Sequence, residues 1–353
     1  MARKYRVAGI MSGTSLDGLD IAVCEFKLNN FKWEYKIIDA ETITYTPIMK
    51  EKLATAHLLS TLSFLQLDVE FGKFIGKSVK NFLDRKSLTV EAIASHGHTV
   101  FHQPNSGITV QIGNGANIVA ESGISTICNF RNLDVALHGQ GAPLVPLGDE
   151  LLFNDFDYCL NLGGFANVSY SKYKKRIAFD ICPVNIVMNY YAKKIGLEFD
   201  KDGNVGKTGK IDKNLLEQLN QLGFYKAKAP KSLGREWLEK EMLPIIESYN
   251  LPVEDIMRTL YEHIANQIVK VFPPRMEKQI LVTGGGAFNS FLINLMQSKT
   301  KNKFIVPDKL TVEYKEALIF AFLGVLRLRE EKNCLSTVTG AKRDSIAGAI
   351  YLA

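Results

Sequence analysis

The chain alternates between two hydrophobic periods, and the switches between them mark its elements. Tyr5 to Met11 reads as a buried strand that breaks at Ser12-Gly13-Thr14-Ser15. Leu19 to Phe26 and Phe31 to Ala40 follow as two more strands, joined at Asn29-Asn30, so the opening predicts an antiparallel meander. Helical spacing takes over from Thr61 to about Arg85, with Leu62, Leu65, Val69, Phe71, Phe74, Ile75, Val79 and Phe82 as the apolar face. Short strands are predicted at Ala92–Ser95, Ile108–Ile112 and Ser125–Cys128. The opening pattern then recurs: a strand at Tyr158–Leu162, a turn at Gly163-Gly164, strands at Val168–Tyr170 and Ile177–Phe179, and a helix from about Val184 to Ile195. A helix at Val253–Phe272, a strand at Gln279–Thr283, Gly284-Gly285-Gly286 and a helix opening near Asn289 complete the second half.

A duplicated sheet-plus-helix unit with glycine turns in both halves predicts an α/β fold of two lobes facing a central cleft. This is the actin-like, ribonuclease H-like ATPase layout, in which glycine turns let backbone N–H groups approach phosphate oxygens. The expected lobes are 1–130, with about 338–353 packing back on it, and 131–337.

Composition narrows the function. The chain has 353 residues, 46% apolar and 23% charged, and its net charge of +6 is scattered rather than striped. The densest basic cluster, Lys172, Lys174, Lys175 and Arg176, reads as a solvated hairpin tip without interleaved aromatic residues, which argues against a nucleic-acid partner. Cys24, Cys128, Cys159, Cys182 and Cys334 are dispersed and odd in number, favouring free thiols in a reducing compartment. Apolar runs such as Ala317 to Leu326 are too short to span a bilayer. The expectation is a cytoplasmic protein with no membrane partner.

The strongest chemical signal is Met11-Ser12-Gly13-Thr14-Ser15-Leu16-Asp17-Gly18-Leu19-Asp20. A structural hairpin needs far fewer glycine, hydroxyl and carboxylate residues in one turn. The functional reading puts Gly13, Thr14, Ser15 and Gly18 around ATP phosphates, with Asp17 holding Mg2+ through water. Gly163-Gly164 is its counterpart in the second half, and Gly284-Gly285-Gly286 suits the adenosine side. Gly206-Lys207-Thr208 is not a P-loop, because Lys201 stands where the first glycine belongs. His96, His98 and His102 admit two readings, a substrate-contact loop or a zinc site. Arg131 and Asp134 likewise read either as an ion pair or as a guanidinium offered to a substrate carboxylate. Asp180 is placed as a general base or as a helix N-cap.

Several strings together carry a resemblance: Gly9 to Gly18, Ser95-His96-Gly97-His98-Thr99, Gly139 to Pro146, Lys231-Ser232-Leu233-Gly234-Arg235-Glu236, Glu316-Ala317-Leu318 and Ser336 to Ala341. In this order they resemble the anhydro-N-acetylmuramic acid kinases over essentially the whole chain. The resemblance implies that water opens the 1,6-anhydro bridge and that ATP then phosphorylates the freed O6. It implies Asp180 as the base that activates the water and Gly13 to Asp20, Leu16 and Leu19 included, as the ATP turn. It also implies His96, Thr99, Arg131, Asp134 and Glu316 as the sugar side, and a homodimer as the assembly. The sequence departs from the family pattern beside the base. Asp180-Ile181-Cys182-Pro183-Val184-Asn185 replaces Asp-Thr-Gly-Pro-Gly-Asn, adding bulk where water or phosphate is expected to pass. His98 and Asn129 stand where the family usually has Gln and Asp. The departures leave three readings: the same kinase, a kinase for a related anhydro or amino sugar, or a sugar or nucleotide binder with little turnover.

Overall fold

A computed structural model describes residues 3–13, 15–173, 175–274 and 276–353. Thr14 of the ATP turn and Lys174 of the basic cluster lie outside the described residues. The chain divides into two compact units, residues 1–152 with 314–353, and residues 153–313.

The first unit holds β1 (Lys4–Ser12), β2 (Gly18–Asn29), β3 (Lys32–Thr44), β4 (Ala92–Gln103), β5 (Ile108–Ile112), β6 (Thr126–Cys128) and β12 (Ala349–Tyr351). They form one seven-stranded sheet in the order β12-β6-β4-β1-β2-β3, with β5 on β4. Strands β1, β2 and β3 are the predicted antiparallel meander, whereas β4 pairs parallel to β1 and β6 parallel to β4.

The second unit holds β7 (Tyr158–Leu162), β8 (Phe165–Lys172), β9 (Lys175–Pro183), β10 (Gln279–Thr283) and β11 (Lys303–Ile305), in the order β11-β10-β7-β8-β9. Again three strands meander and two follow in parallel. The order β3-β2-β1-β4-β6 in the first sheet matches β9-β8-β7-β10-β11 in the second, with β5 as an added hairpin strand, and this repetition is the ribonuclease H-like topology expected from the duplicated pattern.

The helix Thr61–Lys86 covers the first sheet through Leu67, Phe71, Ile75, Val79 and Phe82, a stripe at helical spacing. Leu62, Leu65 and Val69, expected on that face, are exposed instead. Their positions fall on the far side of the helix once the stripe runs from Leu67. The boundaries of the first unit also differ from the sequence-based lobes. The helix Val145–Leu152 seats Gly148 against Ile319, both within that unit. The helix Lys309–Leu328 comes so close to β1 that a Cβ on Gly9 would lie 1.8 Å from the Ala317 carbonyl oxygen. The first unit therefore extends to residue 152 and resumes at Tyr314, a non-helical residue inside that helix.

The basic hairpin tip is only partly solvated: Arg176 folds back, buried, and donates Nη2 to Ser169 Oγ at 2.7 Å. All five cysteines are free and buried. Among the described residues, no helix is long and apolar enough to cross a membrane.

Candidate functional site

In the first unit the Gly13–Asp17 segment links β1 to β2, and Leu16 N donates to the Gly13 carbonyl at 3.3 Å with Leu16 at φ 60°. Ser15 and Asp17 are exposed. Gly18 and Leu19 already belong to β2, and the Leu19 side chain is wholly buried in the core beneath. Leu19, expected as part of the ATP turn, can therefore offer a ligand only its backbone. Asp20 Oδ1 accepts from Thr42 Oγ1 at 2.7 Å. No cluster of three metal-ligating side chains occurs among the described residues. An exposed carboxylate such as Asp17 nevertheless suits Mg2+, which keeps most of its waters and takes few protein ligands.

Beside this turn lies a buried polar chain. Tyr45 Oη donates to Ser12 Oγ at 2.7 Å, and Ser12 Oγ lies 3.0 Å from His98 Nδ1. All three side chains are buried. Burial lowers the His98 pKa, opposed by a hydrogen bond to the Ser12 backbone. Sequence reasoning had Ser12 within a motif but gave it no role, and nothing in the sequence marked Tyr45.

His96 and His98 lie within β4, not in a loop after it. His96 Nδ1 is 2.9 Å from the Gly97 carbonyl, and Arg131 Nε donates to His96 Nε2 at 2.9 Å. Both imidazole nitrogens are thus engaged. His102 Nδ1 contacts Thr109 Oγ1 at 3.1 Å, so the three histidines serve three different partners. That overturns the zinc reading. Burial, with the Arg131 charge second, pushes His96 down to about 3.

Arg131 completes its visible contacts with Nη1 to the Gly141 carbonyl at 2.9 Å. Its partners are neutral. The ion pair with Asp134 is absent because Asp134 is fully buried and otherwise employed. Asp134 Oδ1 accepts from Thr339 Oγ1 at 2.7 Å and Cys334 Sγ at 3.1 Å, while Oδ2 accepts Gly141 N at 2.7 Å. Asp134 thus shapes the loop whose carbonyl holds Arg131 and has no free face for a sugar, a correction to its expected contact role.

Glu316 is reached by solvent yet set deep among protein atoms. Burial raises its carboxyl, Asp20 adds to the rise, and Lys315 and Arg131 oppose it. One helical turn on, the Phe320 ring packs at a tilt with its centroid 4.6 Å from that of His96, so one helix face carries both. Thr99 is half-buried on β4.

The second unit holds Asp180 and the remaining glycine turns. Asp180 lies inside β9, and the helix Asn185–Lys194 begins from Val184 without a side-chain cap. The N-cap reading therefore fails. Leu233 N donates to Asp180 Oδ2 at 2.8 Å, and Oδ1 has no protein partner among the described residues. Burial raises the Asp180 carboxyl, with the Leu233 N–H opposing.

The bulk expected beside Asp180 turns elsewhere. Cys182 and Val184 are buried in the core of the second unit, not on its surface. The following backbone is stitched to the glycine turn: Val184 N donates to Gly164 O at 2.8 Å and Asn185 N to Gly163 O at 3.2 Å. Asn185 Nδ2 also donates to Leu162 O at 3.0 Å, and Asn185 lies next to Gly285 and Gly286. Gly284 has φ 80°, and a Cβ there would come 2.5 Å from Asn161 Oδ1. Gly163-Gly164 and Gly284-Gly286 are thereby one backbone surface, joined by Asn185. Asn185 was legible only as a residue retained from the family loop.

A family model described as anhydro-N-acetylmuramic acid kinase matches residues 5–353. A protein of Francisella tularensis subsp. novicida named anhydro-N-acetylmuramic acid kinase is 36% identical, over 98% of each chain. One of the same name from Hydrogenovibrio crunogenus is 32% identical, over 97% of each. Among solved structures, the activator of 2-hydroxyisocaproyl-CoA dehydratase from Clostridium difficile with bound ADPNP is 15% identical. It covers 92% of this chain and 97% of its own, at a TM-score of 0.41.

Proposed function

The chain belongs to the anhydro-N-acetylmuramic acid kinase family, and from that premise we propose that it opens 1,6-anhydro-N-acetylmuramic acid with water and phosphorylates O6 from ATP. Water adds to C1 as Asp180 takes its proton, and the C1–O6 bond breaks. O6 then attacks the γ-phosphorus, ADP leaves, and N-acetylmuramic acid 6-phosphate is formed. The protein would serve recycling of cell-wall sugar in the cytoplasm, as a homodimer.

The observation that carries this reading is the state of Arg131. A half-buried guanidinium held by a neutral imidazole and a carbonyl, with no carboxylate in salt-bridge range among the described residues and only the longer-range charge of Glu316 acting on it, can take a further anion. The lactyl carboxylate of the muramic acid fits that need. Asp180 supports the base role through its raised carboxyl and unengaged Oδ1. Backbone N–H groups of Gly13–Asp17 would receive the phosphates and Gly163-Gly164 with Gly284–Gly286 the rest of the nucleotide. Asp17 would hold Mg2+ through water, and the ion would offset phosphate charge. The core-facing Cys182 and Val184 favour this kinase over a weakly active binder, because the altered loop puts no bulk beside the Asp180 carboxylate.

The test is to supply Mg-ATP with the anhydro muramic sugar or with 1,6-anhydro-N-acetylglucosamine, which lacks the lactyl group, and to quantify ADP and sugar phosphate by mass spectrometry. Strong preference for the muramic sugar is expected. Equal use of both sugars, or ADP without sugar phosphate, would overturn the reading.

A further inference from the structure

Strand β9 is the outer strand of its sheet, so on one side Asp180 has no neighbouring strand to hold it. A bulge lies beside it as well. Asn167 pairs with Asp180 and Ala166 with Cys182, which leaves Ile181 without a partner on β8. A bulge re-aims the side chains next to it, so the direction of the carboxylate has to be set from outside the sheet. Residues 231–233 set it. Asp180 N donates to the Lys231 carbonyl at 3.0 Å, and Leu233 N donates to Asp180 Oδ2 at 2.8 Å.

The segment that makes these contacts has little else to hold it. Residues 228–233 belong to no helix or strand, and Lys228, Ala229, Pro230 and Ser232 are exposed. Among the described residues, the only other hydrogen bond from this segment runs from Lys231 Nζ to the Phe224 carbonyl, at 2.9 Å. The same ammonium lies 4.3 Å from the centre of the Phe224 ring, a cation–π contact. Phe224 is well anchored in turn. Its ring packs against Tyr225 and Trp237, and Tyr225 Oη lies 2.9 Å from Nε2 of His263, a buried residue of the helix Val253–Val269.

We propose that Lys231 is a positioning residue for the base. The inference rests on the kinase reading above. The ammonium pins the segment to Phe224, and the pinned backbone grips Asp180 by its amide and by Oδ2. Lys231 acts only through that backbone. Burial lowers the Lys231 ammonium, with the Cys182 thiol opposing. The Asp180 carboxyl is raised by burial and lowered by the Leu233 N–H. If the segment comes loose, the N–H is lost and burial acts unopposed, so the carboxyl rises further.

The experiment follows the Asp180 carboxyl by NMR titration with isotope-labelled aspartate, its signal assigned with Asp180→Asn. It also measures kcat with Mg-ATP and the anhydro muramic sugar, in wild type, Lys231→Met and Lys231→Arg. In Lys231→Met the carboxyl is expected to titrate at higher pH than in wild type. Its kcat should fall about 10-fold, the worth of roughly one hydrogen bond to a charged group, with KM for ATP unchanged. Lys231→Arg keeps a cation to donate and to stack, and should lie close to wild type in both readouts. An unmoved titration in Lys231→Met would overturn the proposal whatever happens to kcat, because general damage slows the enzyme without moving the carboxyl. A parallel rise in KM for ATP, or a Lys231→Arg variant no better than Lys231→Met, would overturn it too. The titration needs no turnover. A carboxyl that moves as expected in a protein that makes no sugar phosphate faults the kinase reading and leaves the positioning role supported.

Discussion

The Leu233 backbone N–H donates to Oδ2 of Asp180 at 2.8 Å, and the Asp180 N–H is taken by the Lys231 carbonyl at 3.0 Å. The pair fixes the carboxylate's orientation and leaves Oδ1 without a protein partner among the described residues. It also sets two opposed influences, burial raising the carboxyl and the N–H stabilising its ionised form, with burial ahead.

A base must be ionised to take a proton, so the rate should fall as pH drops through the Asp180 pKa. Because that pKa is raised, the acid limb of kcat should lie above the ordinary aspartate value of about 3.9. A pH–rate profile checks this. A rate unaffected down to that value would remove Asp180 from the role.

Arg131→Ala should raise KM for the muramic sugar by roughly 10- to 100-fold, the worth of a charge-assisted pair. Arg131→Lys should recover little, since an ammonium cannot keep both the His96 and Gly141 contacts and still present a fork. With 1,6-anhydro-N-acetylglucosamine the same variants should behave nearly as wild type. Steady-state kinetics on both sugars separates a carboxylate contact from general damage.

His96 and His263 are buried and both held down to about 3, chiefly by burial. The unfolded chain takes up protons at these histidines near pH 6.5, whereas the folded chain does not. Stability is therefore complete above about 6.5 and lost as pH falls, by roughly 2 kcal/mol per histidine at pH 5. Chemical denaturation at pH 7.5 and 5, with His263→Asn alongside, measures it. A smaller loss in the variant is expected.

Asp134→Ala leaves the Gly141 N–H without its acceptor and takes the closer of two acceptors, the other being the Leu335 carbonyl, from the Thr339 hydroxyl. The expected cost is roughly 3 kcal/mol, seen as a lowered denaturation midpoint. KM for the sugar should rise as well, because the Gly141 carbonyl that holds Arg131 is displaced. An unchanged midpoint would show that the loop does not depend on Asp134.

Much of this was legible in the sequence, for identifiable reasons. The strand periods and glycine turns fix the duplicated meander, since both are local signals. The three glycine turns stand out by composition at the ends of strands, whereas Asp180, expected at a strand end, lies inside β9. What stayed hidden depends on distant pairing. Asp134 reads as a partner for Arg131, yet Cys334 and Thr339, some 200 positions on, claim its carboxylate. His96, His98 and His102 admitted a ligand-set reading beside the substrate-contact one, but β4 pairs with β1 and β5 and each ring has a different neighbour. Tyr45 carried no signal at all, since only the folded sheet brings it to Ser12. The extra bulk of Cys182 and Val184 pointed the wrong way because their burial depends on the core behind β9.

The most direct test of the central claim is a rapidly quenched reaction in H2(18)O, with Mg-ATP and the anhydro muramic sugar, for wild type and Asp180→Asn, read by mass spectrometry. The account predicts sugar 6-phosphate in step with ADP, one heavy oxygen at C1 and none in the phosphate group, with the variant slowed at least about 100-fold. Heavy oxygen in inorganic phosphate without labelled sugar phosphate, or a variant as fast as wild type, would contradict it.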